Sequence, residues 1–171
     1  MTDVLWHGRG GQGAFTAARL LGASYALQGG YALAFPSFGP ERRGAPMRAF
    51  TKLDSNPVTS RCEIRSADYT VYLDDTLLSG TLPEGSGNIL VNSSRTFPHP
   101  HIVAFDASKI TMDVTGSTIV NTAMLGALAA LWDGITLDAL DKGIEAVLSK
   151  RLWESNKALV RASYDSVRNG R

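Results

Sequence analysis

A single cysteine, Cys62, stands in 171 residues, which excludes an intrachain disulfide. It equally excludes an iron–sulfur cluster or zinc ribbon held by four thiolates of this chain alone. Charge of one sign is scarce too: 17 Lys and Arg against 16 Asp and Glu leave a formal net charge of +1. So balanced a chain offers no long-range attraction to nucleic acid or to an anionic membrane surface. No stretch approaches the ~18 consecutive apolar residues of a membrane span, and the first residues lack the basic start and apolar run of a secretion signal. A soluble, cytoplasmic protein is expected. His99 and His101 flank Pro100 with no third ligand nearby, so no metal site is expected. No Ser/His/Asp or Cys/His arrangement can be assembled, and no catalytic residue is assigned.

What the chain does have is 44% hydrophobic residues, enough for one domain over residues 1–171 with a sizeable core. Val4 to His7 is a short apolar run that stops at Gly8, and Ala14 to Leu27 carries Phe15, Ala18, Leu21 and Tyr25 at helical spacing. Gly29-Gly30 ends that helix and Tyr31 to Phe35 reads as a second strand, completing a βαβ unit. Further strands are expected at Met47 to Leu53, Tyr69 to Leu73, Ile89 to Asn92 and Ile102 to Phe105. From Ser117 onward the pattern is helical: Ile119 to Trp132 is apolar nearly all round, Thr136-Leu137-Asp138 opens a second helix, and Trp153 to Val167 a third. The fold class is therefore α/β, a mostly parallel sheet flanked by helices with a helical C-terminal third.

Two stretches carry the functional signal. Gly8-Arg9-Gly10-Gly11-Gln12-Gly13 satisfies G-x-G-x-x-G between a strand and a helix, where backbone N–H groups without helical partners can face an anion. The dinucleotide-binding fingerprint also needs an acidic residue at the end of the second strand, and that strand ends in Phe35-Pro36-Ser37. The alternative is that these glycines only let helix pack on strand, although Arg9 and Gln12 suit an anionic ligand. The second stretch, Phe35-Pro36-Ser37-Phe38-Gly39-Pro40-Glu41-Arg42-Arg43-Gly44-Ala45-Pro46, is longer than an ordinary connection. Its aromatic and arginine content is that of a protein interface, with Phe38, Glu41, Arg42 and Arg43 as contact residues. Elsewhere, His7 is read as a hydrogen-bonded structural histidine and Asp74-Asp75 as the N-cap of a short helix. Asn121 is expected to take a structural hydrogen bond.

Gly10-Gly11-Gln12-Gly13, the long F-P-S-F-G-P-E-R-R-G-A-P loop and Asn121-Thr122-Ala123-Met124-Leu125-Gly126 resemble, in order, signature stretches of the gamma subunit of the 2-oxoacid:acceptor oxidoreductases. That resemblance implies a Rossmann-like domain in a complex that oxidatively decarboxylates a 2-oxoacid to its acyl-coenzyme A. It also implies alpha, beta and ferredoxin-like delta partners that hold thiamine diphosphate, Mg and 4Fe-4S clusters, with ferredoxin or, through a flavin subunit, NAD as the acceptor. This chain holds no cofactor by itself on that reading; it supports assembly and shares coenzyme A, whose phosphates fall to Gly8, Arg9, Gly10, Gly11, Gln12 and Gly13. The opening Trp6-His7-Gly8-Arg9 looks similar to the phenylglyoxylate-oxidising members, while pyruvate is the commonest substrate. Two alternatives remain, an independent dinucleotide-binding oxidoreductase and a purely structural scaffold of the same complex. The isolated chain is expected to expose an apolar patch through Ile119 to Trp132 and the long loop.

Overall fold

The computed structural model describes residues 1–37, 43–78 and 87–170. Six strands form one sheet, β1 (Thr2–Arg9), β2 (Tyr31–Pro36), β3 (Pro46–Asp54), β4 (Tyr69–Tyr72), β5 (Asn88–Asn92) and β6 (Ile102–Phe105), in the order β2-β3-β1-β4-β5-β6. The helices are α1 (Ala14–Leu27), α2 (Ala107–Thr115), α3 (Asn121–Leu131), α4 (Leu137–Val147) and α5 (Trp153–Asn169). From β1 through β4 and β5 to β6 the strands run parallel, while β3 is antiparallel to both of its neighbours. The expected βαβ unit thus holds in direction, but β3 lies between β1 and β2. A dinucleotide-binding unit sets its second strand beside the first, and here that place is taken.

All five α-helices bury their apolar residues in one cluster with Val4, Trp6, Ala49, Val71, Leu90 and Phe105 of the sheet. The opposite sheet face has two smaller clusters, Phe50 with Ile64 and Ala67, and Tyr72 with Ile89 and Val91, covered by connecting segments. Alternation along β1 produces the division: Val4, Trp6 and Gly8 are buried toward the helices, and Leu5, His7 and Arg9 face the other way. Trp6 illustrates how the buried polar atoms are satisfied. Its indole donates to Thr51 Oγ1 at 3.0 Å, and the Thr51 hydroxyl donates to the Ala18 carbonyl at 3.1 Å, tying β1, β3 and α1 together.

Two expectations need correcting. The helical part begins at α2, ahead of Ser117; Asp106 caps it by accepting from the Lys109 N–H at 2.9 Å, and Gly116 ends it at φ 68°. Only Ala107 and Thr111 are buried in that helix, too few for an apolar stripe. The other correction is α3, whose residues 121 to 130 are all buried within this chain, between the sheet and α5, so the helix forms no exposed patch. Among the described residues no helix is long and apolar enough to cross a membrane.

Candidate functional site

The glycine turn closes β1 onto α1 in a conformation only glycine takes easily. Gly11 has φ 93° and Gly13, the N-cap of α1, φ 80°. A Cβ on Gly13 would also stand 2.6 Å from Asn121 Nδ2, which donates to the Gly13 carbonyl at 3.3 Å. Gly13→Ala is therefore expected to cost about 2 kcal/mol, adding left-handed strain to the loss of that hydrogen bond. Urea unfolding measures it, and an unchanged midpoint would show the turn to be more tolerant than its geometry implies.

The three signature stretches meet at this turn. From the long loop, the Ala45 carbonyl accepts from the Gly10 N–H at 2.9 Å, and the Gly44 N–H donates to the Gly10 carbonyl at 3.1 Å. Arg43 forms a bridge with Gly10. From the third stretch, Asn121 holds Gly13 through its amide nitrogen while its Oδ1 accepts from the Thr122 N–H at 2.8 Å, as its expected structural role requires. Phe38, Glu41 and Arg42 lie outside the described residues.

Arg9 and Gln12 bind each other's surroundings. Gln12 Oε1 accepts from the Arg9 N–H at 2.7 Å, and both side chains donate to one oxygen of Asp74, Arg9 Nε at 3.2 Å and Gln12 Nε2 at 3.1 Å. Arg9 further donates to the Gly44 carbonyl at 3.2 Å and to Thr76 Oγ1 at 2.8 Å. Burial pushes the Asp74 carboxyl up, but hydrogen bonds from Thr76 and Gln12 and the Arg9 charge outweigh it and hold the group below the usual range. Asp74 also caps the short 3₁₀ turn Asp75–Leu77, as the sequence indicates. No motif could have announced the Arg9–Asp74 pair, since 65 residues separate its members.

Among the described residues, clefts adjoin the turn on three sides. On the helix side, about 420 Å3 is lined by Gly11, Gly13, Thr16, Ser117, Asn121 and Thr122 with leucines behind them, and none of its described lining residues is charged. The N-termini of both α1 and α3 open here, and neither has a side-chain cap. Beyond the C-terminal ends of β4 and β5 lies a crevice of about 350 Å3 containing Asp74, Asp75 and Asp106, a setting that repels an anion. A third cleft lies on the opposite sheet face, around His7 and Arg48.

His7 is held there by a ring rather than by the hydrogen bond expected for it: it stacks on Tyr72 with centroids 4.5 Å apart and planes 6° from parallel. Burial, and then the nearby Arg48 charge, lower its pKa to about 4. His99 and His101 stand close, with ring centroids 5.7 Å apart, and among the described residues no group of His, Cys, Asp or Glu is arranged to hold a metal ion.

The chain matches the family described as pyruvate ferredoxin/flavodoxin oxidoreductase over residues 3–166. It is 38% identical to pyruvate synthase subunit PorC of Methanothermobacter thermautotrophicus, covering 98% of this chain and 96% of that one. It is 36% identical to the common gamma subunit of the pyruvate/ketoisovalerate oxidoreductases of Pyrococcus furiosus, covering 98% and 97%. The crystal structure of pyruvate oxidoreductase subunit PORC from Thermotoga maritima superposes with a TM-score of 0.82 at 34% identity, covering 96% of this chain and 95% of that one. Fold, signature stretches and near full-length likeness agree that the chain belongs to the pyruvate ferredoxin/flavodoxin oxidoreductase family, as a gamma-type subunit.

Proposed function

We propose that this chain docks beside the alpha, beta and delta subunits of a cytoplasmic 2-oxoacid:ferredoxin oxidoreductase and completes its coenzyme A site with the glycine turn. The observation that carries this reading is the convergence of three signature stretches on a turn whose helix N-terminus has no side-chain cap and opens into an uncharged cleft. Such a terminus suits a phosphate group, and the lining of glycines and hydroxyl side chains leaves it approachable. Thiamine diphosphate and iron–sulfur clusters in the partner subunits supply the decarboxylation and the electron path. Gly8, Gly10, Gly11 and Gly13 bring backbone close to the ligand, while Arg9 and Gln12 hold the turn's shape against Asp74. Arg43 and its neighbours in the loop, Phe38, Glu41 and Arg42, provide the partner contact.

Pyruvate is the favoured substrate, because the relatives named above act as pyruvate or pyruvate/ketoisovalerate enzymes. Trp6 and His7, which suggest an aryl 2-oxoacid in the sequence, have structural partners in Thr51 and Tyr72.

The test is Arg9→Ala in the assembled complex. Releasing the turn from Asp74 is expected to raise the KM for coenzyme A by about tenfold, the equivalent of one charge-assisted hydrogen bond, with the KM for the 2-oxoacid unchanged. An unchanged coenzyme A KM, with the complex intact, would leave the turn a structural scaffold, the reading that Arg9's internal bonds favour.

A further inference from the structure

The sheet face turned away from the helices carries a cleft of about 570 Å3 at the C-terminal end of β1. That volume falls within the range of small-molecule sites. Arg9, Arg48, His7, Ser37 and Thr76 line it with Met47 beside them, and none of its described lining residues is acidic. Strand pairing builds the constellation: His7 lies directly opposite Arg48 on β3 and beside Tyr72 on β4, so residues 41 and 65 positions away are brought to one spot.

We propose that this cleft binds a small anion bearing a phosphate or diphosphate group. A guanidinium carries five N–H groups. Among the described residues, Arg9 engages Asp74, Gly44 and Thr76 with three of them, and Arg48 engages Glu63 at 3.1 Å with one. Those bonds leave further N–H groups unused on both side chains, which line the cleft. The two guanidiniums stand on β1 and β3, and the Ser37 hydroxyl reaches the cleft from the end of β2, while the Thr76 hydroxyl beside them already donates to Asp74. Donors on several sides suit a tetrahedral oxyanion with oxygens in several directions, whereas a planar carboxylate is satisfied by a single fork. The local field agrees, since the charge of Arg48 disfavours a proton on His7 and favours a negative ligand for the same reason.

This site is separate from the glycine-turn cleft, which lies on the helix side of the sheet, and its test does not depend on coenzyme A turnover. Inorganic pyrophosphate is titrated into the full chain at pH 7 while the imidazole proton resonances of its three histidines are followed by NMR. The expected result is a saturable shift of His7, with His99 and His101 unmoved, and an affinity at least about tenfold weaker in Arg48→Gln. Competition by coenzyme A would mark the diphosphate as part of that larger ligand, and its absence would mark a free one; each is a form of the same site. A His7 resonance that stays fixed at millimolar pyrophosphate overturns the proposal, and that readout needs no variant to fold. So does an affinity that is the same in folded Arg48→Gln.

Discussion

Gly126→Leu is expected to destabilise the fold by about 3 kcal/mol or more, a large share of the roughly 5–15 kcal/mol that keeps a domain folded. Gly126 sits in the middle of α3, where a Cβ would stand 2.4 Å from the Val160 carbonyl oxygen of α5. That obstacle is helix backbone, so relief requires α3 and α5 to move apart along their whole contact. Leucine would gain up to about 1 kcal/mol of helix propensity over glycine, which is smaller than the overpacking it causes. Met124, Leu125, Leu128, Leu159 and Val160 all lose contact if the helices separate, since each belongs to the same buried cluster. Thermal unfolding followed by far-UV circular dichroism checks this, with Gly126→Ala as a milder version of the same displacement. A Tm equal to or above that of the parent would mean that α5 yields easily.

Acid is expected to weaken the protein through His7 by an amount on the order of 3 kcal/mol. The folded state holds this imidazole neutral down to about pH 4, because it is buried against Tyr72 and faces Arg48. An unfolded chain binds that proton near pH 6.5. Above pH 6.5 both states are neutral and the histidine contributes no pH dependence. Between pH 6.5 and about 4 the unfolded state alone takes up the proton, so stability falls as pH falls. Below about 4 both are protonated and this contribution levels off. Urea unfolding at pH 7 and pH 4.5 measures the loss, and His7→Gln should remove most of the difference between the two. If the variant loses as much stability as the parent over that interval, the acid sensitivity resides in other groups.

The helix α1 was legible residue for residue because Gly13 and Gly29 bracket a clear apolar period, and β6 because it is a short apolar run between polar segments. α2 was not, because its signals are its two caps, Asp106 and Gly116, around a mostly polar nine-residue stretch. The position of β3 could not be read at all. A strand that pairs between β1 and β2 and one that pairs outside them have the same alternation, and only the three-dimensional competition for the helix-covered face decides between them. At the site, the glycine turn was visible from spacing alone. Its attachment to Asp74, to Gly44 and Ala45, and to Asn121 was not, since those contacts join residues 34 to 108 positions apart and carry no local pattern. The cleft beside His7 was hidden for the same reason: Arg48 and Thr76 look like ordinary surface residues until the sheet register brings them to the end of β1.

The insertion of β3 also sets an order for the birth of the protein. β2 pairs with β3 alone, and β1 with β3 and β4, so the first two strands to leave a ribosome have no partner in each other. They wait, with α1 already able to form between them, until residue 54 has emerged and the third strand can slide into the gap. The long loop is the tether that delivers it, and the closing bonds from Gly44 and Ala45 to Gly10 are available only once that strand has arrived. Pairing of the first two strands and closure of the glycine turn thus wait on the same strand, which is complete once 54 of the 171 residues have been made.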